Sequence, residues 1–193
     1  PGGGGEKPLA LMHVLARHGG APAICFTGSV AAAHRLYRLL GIYGLTVHLF
    51  SSELRQEDRA EIVRGVASGE VKLVVCSDAM ARGMDLPQVE VVVNYDVPTS
   101  IKTYVHRVGR TARAGRGGVA YTLLQGHEVR SFKALLRLAD NNYVRSVRVN
   151  EAHLAPYVER YKRALQELRI VLDRERWREI DVLDEIEALP EEV

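Results

Sequence analysis

The chain has 193 residues, enough for one good-sized core with an appendage but not for a multidomain machine. Apolar residues at 47% and charged residues at 26% are an ordinary globular composition and exclude a chain disordered throughout. The net charge of +2 conceals an asymmetry: residues 173–193 hold nine acids against three bases, which leaves the first 172 residues at +8.

No uncharged run approaches the ~20 apolar residues that span a bilayer, and the opening Pro1-Gly-Gly-Gly-Gly-Glu6 lacks a signal-peptide pattern, so an intracellular protein is expected. Gly2 to Gly5 would pay a large entropy cost on ordering, and residues 1–8 are expected as a linker or ragged end. Short β-branched runs then alternate with stretches of helical period. Strands are predicted at Ala23–Thr27, Thr46–Phe50, Val71–Cys76, Val89–Tyr95 and Val119–Leu124, and helices near 29–41, 55–67, 100–112 and 127–139. Runs such as Val71-Lys-Leu-Val-Val-Cys76 are almost continuously apolar, as expected when helices cover both faces of a mostly parallel sheet. Cys25 and Cys76 each sit in such a run, so buried free thiols are expected and no metal site is read from the sequence.

Beyond residue 149, Leu154, Val158, Tyr161, Leu165, Leu168 and Leu172 recur every three or four residues along a long charged helix. That stripe either packs back on the sheet domain or binds a protein partner. The acidic end from Asp184 is expected as a frayed tail or a contact for a basic partner.

Ligands of open parallel sheets bind at the carboxyl ends of the strands. Here those ends read Thr27-Gly28-Ser29, Ser51-Ser52, Ser77-Asp78 and Asn94-Tyr95-Asp96, polar at every strand, which suits phosphate oxygens. Any one serine reads equally as a helix cap. Between Asp96 and Glu128 there is no acid, while Lys102, Arg107, Arg110, Arg113 and Arg116 supply five positive charges. On a continued helix His106, Arg110 and Arg113 would share a stripe of about 60°, with Val105, Val108 and Ala112 roughly opposite to bury. Regularly placed guanidinium groups are suited to multidentate phosphate binding. In the loop Ser77-Asp-Ala-Met-Ala-Arg-Gly-Met-Asp85, Asp85 is placed to accept from a ribose hydroxyl and Arg82 to reach phosphate or a carboxylate.

These residues resemble the second, C-terminal RecA-like domain of the DEAD-box RNA helicases. Tyr104-x-His106-Arg107-x-Gly109-Arg110-x-x-Arg113-x-Gly115 is similar to the family's motif VI and Ser77-Asp78-x-x-Ala81-Arg82-Gly83-x-Asp85 to its motif V. Ile24-Cys25-Phe26-Thr27 is similar to motif IV, Gln56-x-x-Arg59 to the element that follows it, and Asn94-Tyr95-Asp96-x-Pro98 to the link between V and VI. The resemblance covers roughly Pro22 to Ala139. Ser77 stands where threonine is usual, Met80 and Met84 replace smaller or branched residues, and Ala112 replaces a common glycine.

The resemblance implies a RecA-like α/β domain over residues 9–149, helices on both faces, with a helical extension and acidic tail over 150–193. It implies that Arg110 and Arg113 reach the γ-phosphate of ATP, that Asp85 and Arg107 belong to the ATP site, and that His106 and Arg82 couple to an upstream RecA-like domain. Thr27, Gln56, Arg59 and Ser77 would hold the RNA backbone, contacts that carry no sequence information. Phe50-Ser51-Ser52 together with the motif VI wording is similar to a nucleolar subgroup acting in large ribosomal subunit assembly, which implies a nuclear location.

Half of the active site is missing. No Gly-Lys pair and no Asp-Glu-x-Asp run occur, so there is no P-loop and no carboxylate pair to hold Mg²⁺; this chain alone is expected not to hydrolyse ATP. A non-catalytic RNA-binding or scaffold module and a DNA-acting translocase domain stay open beside the helicase reading.

Overall fold

In the computed structural model the structure describes residues 6–82, 86–111, 117–138 and 144–187, with side chains through residue 175. The elements in chain order are α1 (Lys7–Arg17), β1 (Ala23–Thr27), α2 (Val30–Tyr43), β2 (His48–Leu49), α3 (Gln56–Ser68), β3 (Leu73–Ser77), β4 (Val91–Asn94), α4 (Ile101–Val108), β5 (Val119–Thr122), α5 (Val129–Leu138) and α6 (Glu151–Glu187). All five strands are parallel, in the order β2-β3-β1-β4-β5.

The three inner strands β1, β3 and β4 are buried along their whole length, which is why their sequences run apolar without alternation. Successive side chains still take opposite faces. Ala23, Cys25, Leu73, Val75, Val91 and Val93 meet α1, α2 and α6, whereas Ile24, Phe26, Val74, Cys76 and Val92 meet α3 and the loop around Leu86. The chain steps outward from β1 to β2 and back to β3, so right-handed crossovers place α2 and α3 on opposite faces. A smaller cluster of Tyr104, Phe132 and Leu136 locks α5 to α4.

Local chemistry sets the helix ends. Ser29 caps α2 by accepting from Ala32 N–H at 3.1 Å, and Gly44 ends it at φ 96°, a conformation only glycine takes without strain. Ser100 caps α4 in the same way through Thr103 N–H at 3.1 Å.

Four expectations change. Thr46–Phe50 contributes only His48–Leu49 to the ladder, as befits an edge strand. Helix α1, which the sequence reading does not assign, begins at Lys7 and buries Pro8, Leu9, Leu11, Met12 and Val14. The helix expected over 100–112 stops at Val108; Gly109 caps it, and the Arg110 carbonyl then turns to accept from Val89 N–H at 2.9 Å ahead of β4. On α6 the stripe docks on α1 and α2 through Leu154, Tyr161, Ala164 and Leu168, while Leu165 and Leu172 stay 40% and 44% exposed. A near-heptad stripe drifts by about 20° per heptad on a straight helix, which brings Ala164 inward in place of Leu165. Leu165, Ile170 and Leu172 are what the stripe's surroundings leave open to a partner.

Cys25 and Cys76 are free and fully buried, and that burial raises both thiols well above their ordinary range. Among the described residues no helix is long and apolar enough to cross a membrane.

Candidate functional site

Parallel strands bring the polar ends Thr27, Ser51, Ser77 and Asn94 to one edge of the sheet, all four buried. At 0% and 1% exposure, Thr27 and Ser77 do not offer free hydroxyls. Thr27 Oγ1 donates to the Ser29 carbonyl at 3.0 Å, and Ser77 Oγ accepts from Met80 N–H at 3.3 Å. Both residues, expected against RNA, shape the loops after β1 and β3 in this structure. A buried hydroxyl that lacked such a bond would cost about 1–3 kcal/mol, so the fold uses them first. Gln56 stands exposed at the start of α3, and Arg59 is half-buried one turn on. Beside them Arg55 grips Asp58 with two bonds of 2.8 Å, and that hydrogen bonding pulls the Asp58 carboxyl below its usual range.

The centre of the edge is Arg107. Its side chain is buried beneath α4, lies over the Phe26 ring at 5.4 Å, and spends its donors on the protein. Nε and Nη2 bind the two oxygens of Asp78 at 3.0 and 2.6 Å, and Nη1 reaches Asn94 Oδ1 at 3.3 Å and the Asp96 carbonyl at 2.8 Å. One guanidinium therefore ties the loops after β3 and β4 to α4. The sequence reading places Arg107 in the ATP site; in this structure its donors are held by Asp78, Asn94 and Asp96, because a charge buried this deeply needs its partners inside.

Arg110 differs. Released from the helix by Gly109, it is half-buried beside the loop after β3, with Nη1 3.5 Å from the Leu86 carbonyl. Thr111 pins the turn by donating to the Glu90 carbonyl at 2.9 Å. His106 and Arg110, expected on one helical stripe, thus stand on a helix end and a turn. His106 is exposed on α4 and Arg82 is exposed after β3. Val105, expected on the buried side, is 56% exposed next to His106, and Tyr104 and Arg107 take the buried side instead. Asp85 and Arg113 lie outside the described residues.

Sequence reasoning missed Asp78, Asn94, Asp96 and Lys7 as partners in this edge. Asp96 accepts from Gly28 N–H at 2.8 Å, and its other oxygen lies 3.6 Å from Lys7, which also reaches Glu128 at 3.1 Å. A Cβ on Gly28 would stand 3.4 Å from Asp96 Cβ, in ordinary van der Waals contact, so the two loops lie directly against each other here. The demand of any buried arginine for acceptors is the signal that points to Asp78 and Asn94.

A parallel α/β sheet in the order β2-β3-β1-β4-β5, with helices on both faces and its polar loops gathered at the carboxyl edge, defines a RecA-like fold. The helicase conserved C-terminal domain model matches residues 6–115, more than half the chain, and the chain belongs to that family as a DEAD-box RNA helicase C-terminal domain. It is 38% identical over 180 residues to the ATP-dependent RNA helicase dbp6 of Schizosaccharomyces pombe, covering 89% of this chain and 30% of the relative. To the human ATP-dependent RNA helicase DDX51 it is 40% identical over 172 residues, covering 89% of this chain and 26% of the relative. Among solved structures, Saccharomyces cerevisiae Dbp5 bound to RNA and ADP BeF3 superposes with a TM-score of 0.65 at 27% identity, covering 86% of this chain and 43% of that one. The chain thus spans less than a third of these two curated relatives' lengths.

Proposed function

We propose that this chain is the second half of an ATP-dependent RNA helicase, closing on an upstream RecA-like domain when ATP and RNA bind. The observation that carries the reading is the different placement of two arginines three residues apart: Arg107 braces the edge from inside while Arg110 is left at the edge itself. The group left half-buried at this edge is the Arg110 guanidinium, a donor whose paired N–H groups suit phosphate oxygens. Arg110, with Arg113 and Asp85 by resemblance, would hold the triphosphate and ribose, and Mg²⁺ belongs to the upstream domain in this proposal. ATP bound there supplies the phosphoryl group and the energy of the cycle. Of this chain's own groups, Arg110 and Arg113 meet the charge that develops on the γ-phosphate, and the Arg107 clamp holds the β3 loop in place. His106 and Arg82 couple to the partner domain, and the Gln56–Arg59 turn grips the RNA backbone beside loops shaped by Thr27 and Ser77.

In this reading residues 9–149 carry the half-site and the extension from 150 covers α1 and α2. The similarity of Phe50-Ser51-Ser52 and the motif VI residues to a nucleolar subgroup supports a role in large ribosomal subunit assembly, in the nucleolus. The test is RNA-stimulated ATP hydrolysis by the upstream domain joined to this chain, native against Arg110→Ala. A fall of about 10³ or more is expected, the size of an arginine-finger contribution. Unchanged turnover would assign the basic edge to RNA or a protein and overturn the catalytic reading.

A further inference from the structure

Helix α5 carries a second cationic surface that the half-site does not use. It buries Phe132 and Leu136 against α4 and leaves Arg130, Lys133 and Arg137 exposed. At 100° and 1.5 Å per residue these three lie within about 60° of one another over about 10 Å of the helix axis. No acid stands on the helix, and residues 129–150 hold five bases against one acid, Asp140. Among the described residues none of the three has a hydrogen bond or ion pair. By contrast Lys7 pairs with Asp96 and Glu128, Arg38 with Glu175 and Lys162 with Glu159.

The stripe is also joined to the half-site. Because β5 is parallel to its neighbours, α5 starts from the same sheet edge, and the turn before it is fastened there. Glu128 accepts from Gln125 N–H at 2.7 Å and from Lys7, and Lys7 reaches Asp96, which holds Gly28 in the loop after β1. Arg130 stands two residues beyond that chain of contacts.

We propose that the outer face of α5 is an additional RNA-binding surface, on which Arg130, Lys133 and Arg137 hold sugar-phosphate backbone flanking the strand gripped at the sheet edge. The inference rests on the RNA reading of the half-site. Three cations in line, without a partner among the described residues, match a chain of regularly spaced phosphates, whose neutralisation releases the counterions condensed on the polyanion. An acidic protein fits less well, because a protein interface needs an apolar anchor at its centre. Besides these cations the helix exposes Ser131, Ala134 and Leu138; Leu138, 80% exposed, stands at the helix end about 100° round from Arg137 and not at the centre of the stripe.

The test is a salt titration of fluorescein-labelled single-stranded RNA of mixed sequence binding to the 193-residue chain, native against Arg130→Gln/Lys133→Gln/Arg137→Gln, with thermal melts to verify that the fold is kept. Neutralising three phosphate contacts lowers the log–log salt slope by about 2 and weakens binding about tenfold or more at low salt. An unchanged slope and affinity in the triple variant, with the native chain binding normally, overturns this surface and leaves the half-site reading standing. If the triple variant loses binding to a polyglutamate peptide but keeps its RNA slope, the face belongs to an acidic protein and the proposal fails. Absence of salt-dependent RNA binding by the native chain would overturn the RNA reading itself and this surface with it.

Discussion

Under α4 and at the end of it, two arginines of the same short segment are put to opposite use. Arg107 is 1% exposed and surrounded by acceptors on Asp78, Asn94 and Asp96, whereas Arg110 is half-buried where the turn meets the sheet edge. The difference comes from Gly109, which ends the helix between them and frees Arg110 from its period. A basic motif is therefore not one surface. Its first arginine organises the loops and its second is presented by them.

The largest effect expected from breaking this division is on turnover. Arg110→Ala should lower RNA-stimulated hydrolysis by the joined domains about 10³-fold or more, with the melting temperature of the isolated chain little changed. Arg107→Ala should do the reverse in the first instance, acting on the fold. Removing one member of a buried pair costs about 3–5 kcal/mol; because Asp78 is 40% exposed on its side the lower end is expected, read as a shift of the denaturant midpoint. Arg107→Lys should recover only part of this, since an ammonium cannot span both oxygens of Asp78. If both arginines moved stability alike and turnover alike, the division would be wrong.

A second contrast lies along α6. Leu168→Ala, at 6% exposure against α1 and α2, should cost about 2–4 kcal/mol, whereas Leu165→Ala, three residues away and 40% exposed, should stay within about 0.5 kcal/mol. A larger loss at Leu165 than at Leu168 in urea unfolding would mean that the helix docks by its other face.

The smallest expected effect concerns pH. Burial raises the folded-state pKa of Cys25 and Cys76, so their contribution is fully present below the unfolded thiol value of about 8.5 and declines as pH rises above it, where the unfolded chain loses protons that the folded chain keeps. Burial likewise raises Tyr95, which adds to the decline above about pH 10. Cys25→Ala/Cys76→Ala should flatten the first part of that decline in unfolding curves taken between about pH 8 and 10. A slope unchanged by the substitutions would place its origin elsewhere.

Much of the fold is legible in the order of residues along the chain. Near-continuous apolar runs at residues 71–76 and 89–93 mark strands covered on both faces, and the polar residues following each run mark one edge. The motifs around Ser77 and Tyr104 point to the same family that the helicase C-terminal domain match shows. What escapes a reading of the sequence is set by distance along the chain. Asp78 lies 29 residues before Arg107, and Lys7 lies 121 before Glu128. No local pattern announces such pairs, and α1, with its buried Leu9, Leu11, Met12 and Val14, is masked by the glycine run beside it. Helical periodicity carries on through Gly109, where the backbone instead turns to pair with Val89.

The sequence by itself determined most of the strands and helices from residue 22 onward, because periodicity and capping act over a few residues, and it determined the chemical kind of the edge, because hydroxyls and guanidinium groups carry their preferences with them. Only the tertiary structure decided which arginine is buried and which is presented, and which face of α6 is covered. Those outcomes depend on the β2-β3-β1-β4-β5 order that sets β4 beside β1, and on desolvation, which makes a buried charge collect its acceptors from wherever the fold brings them.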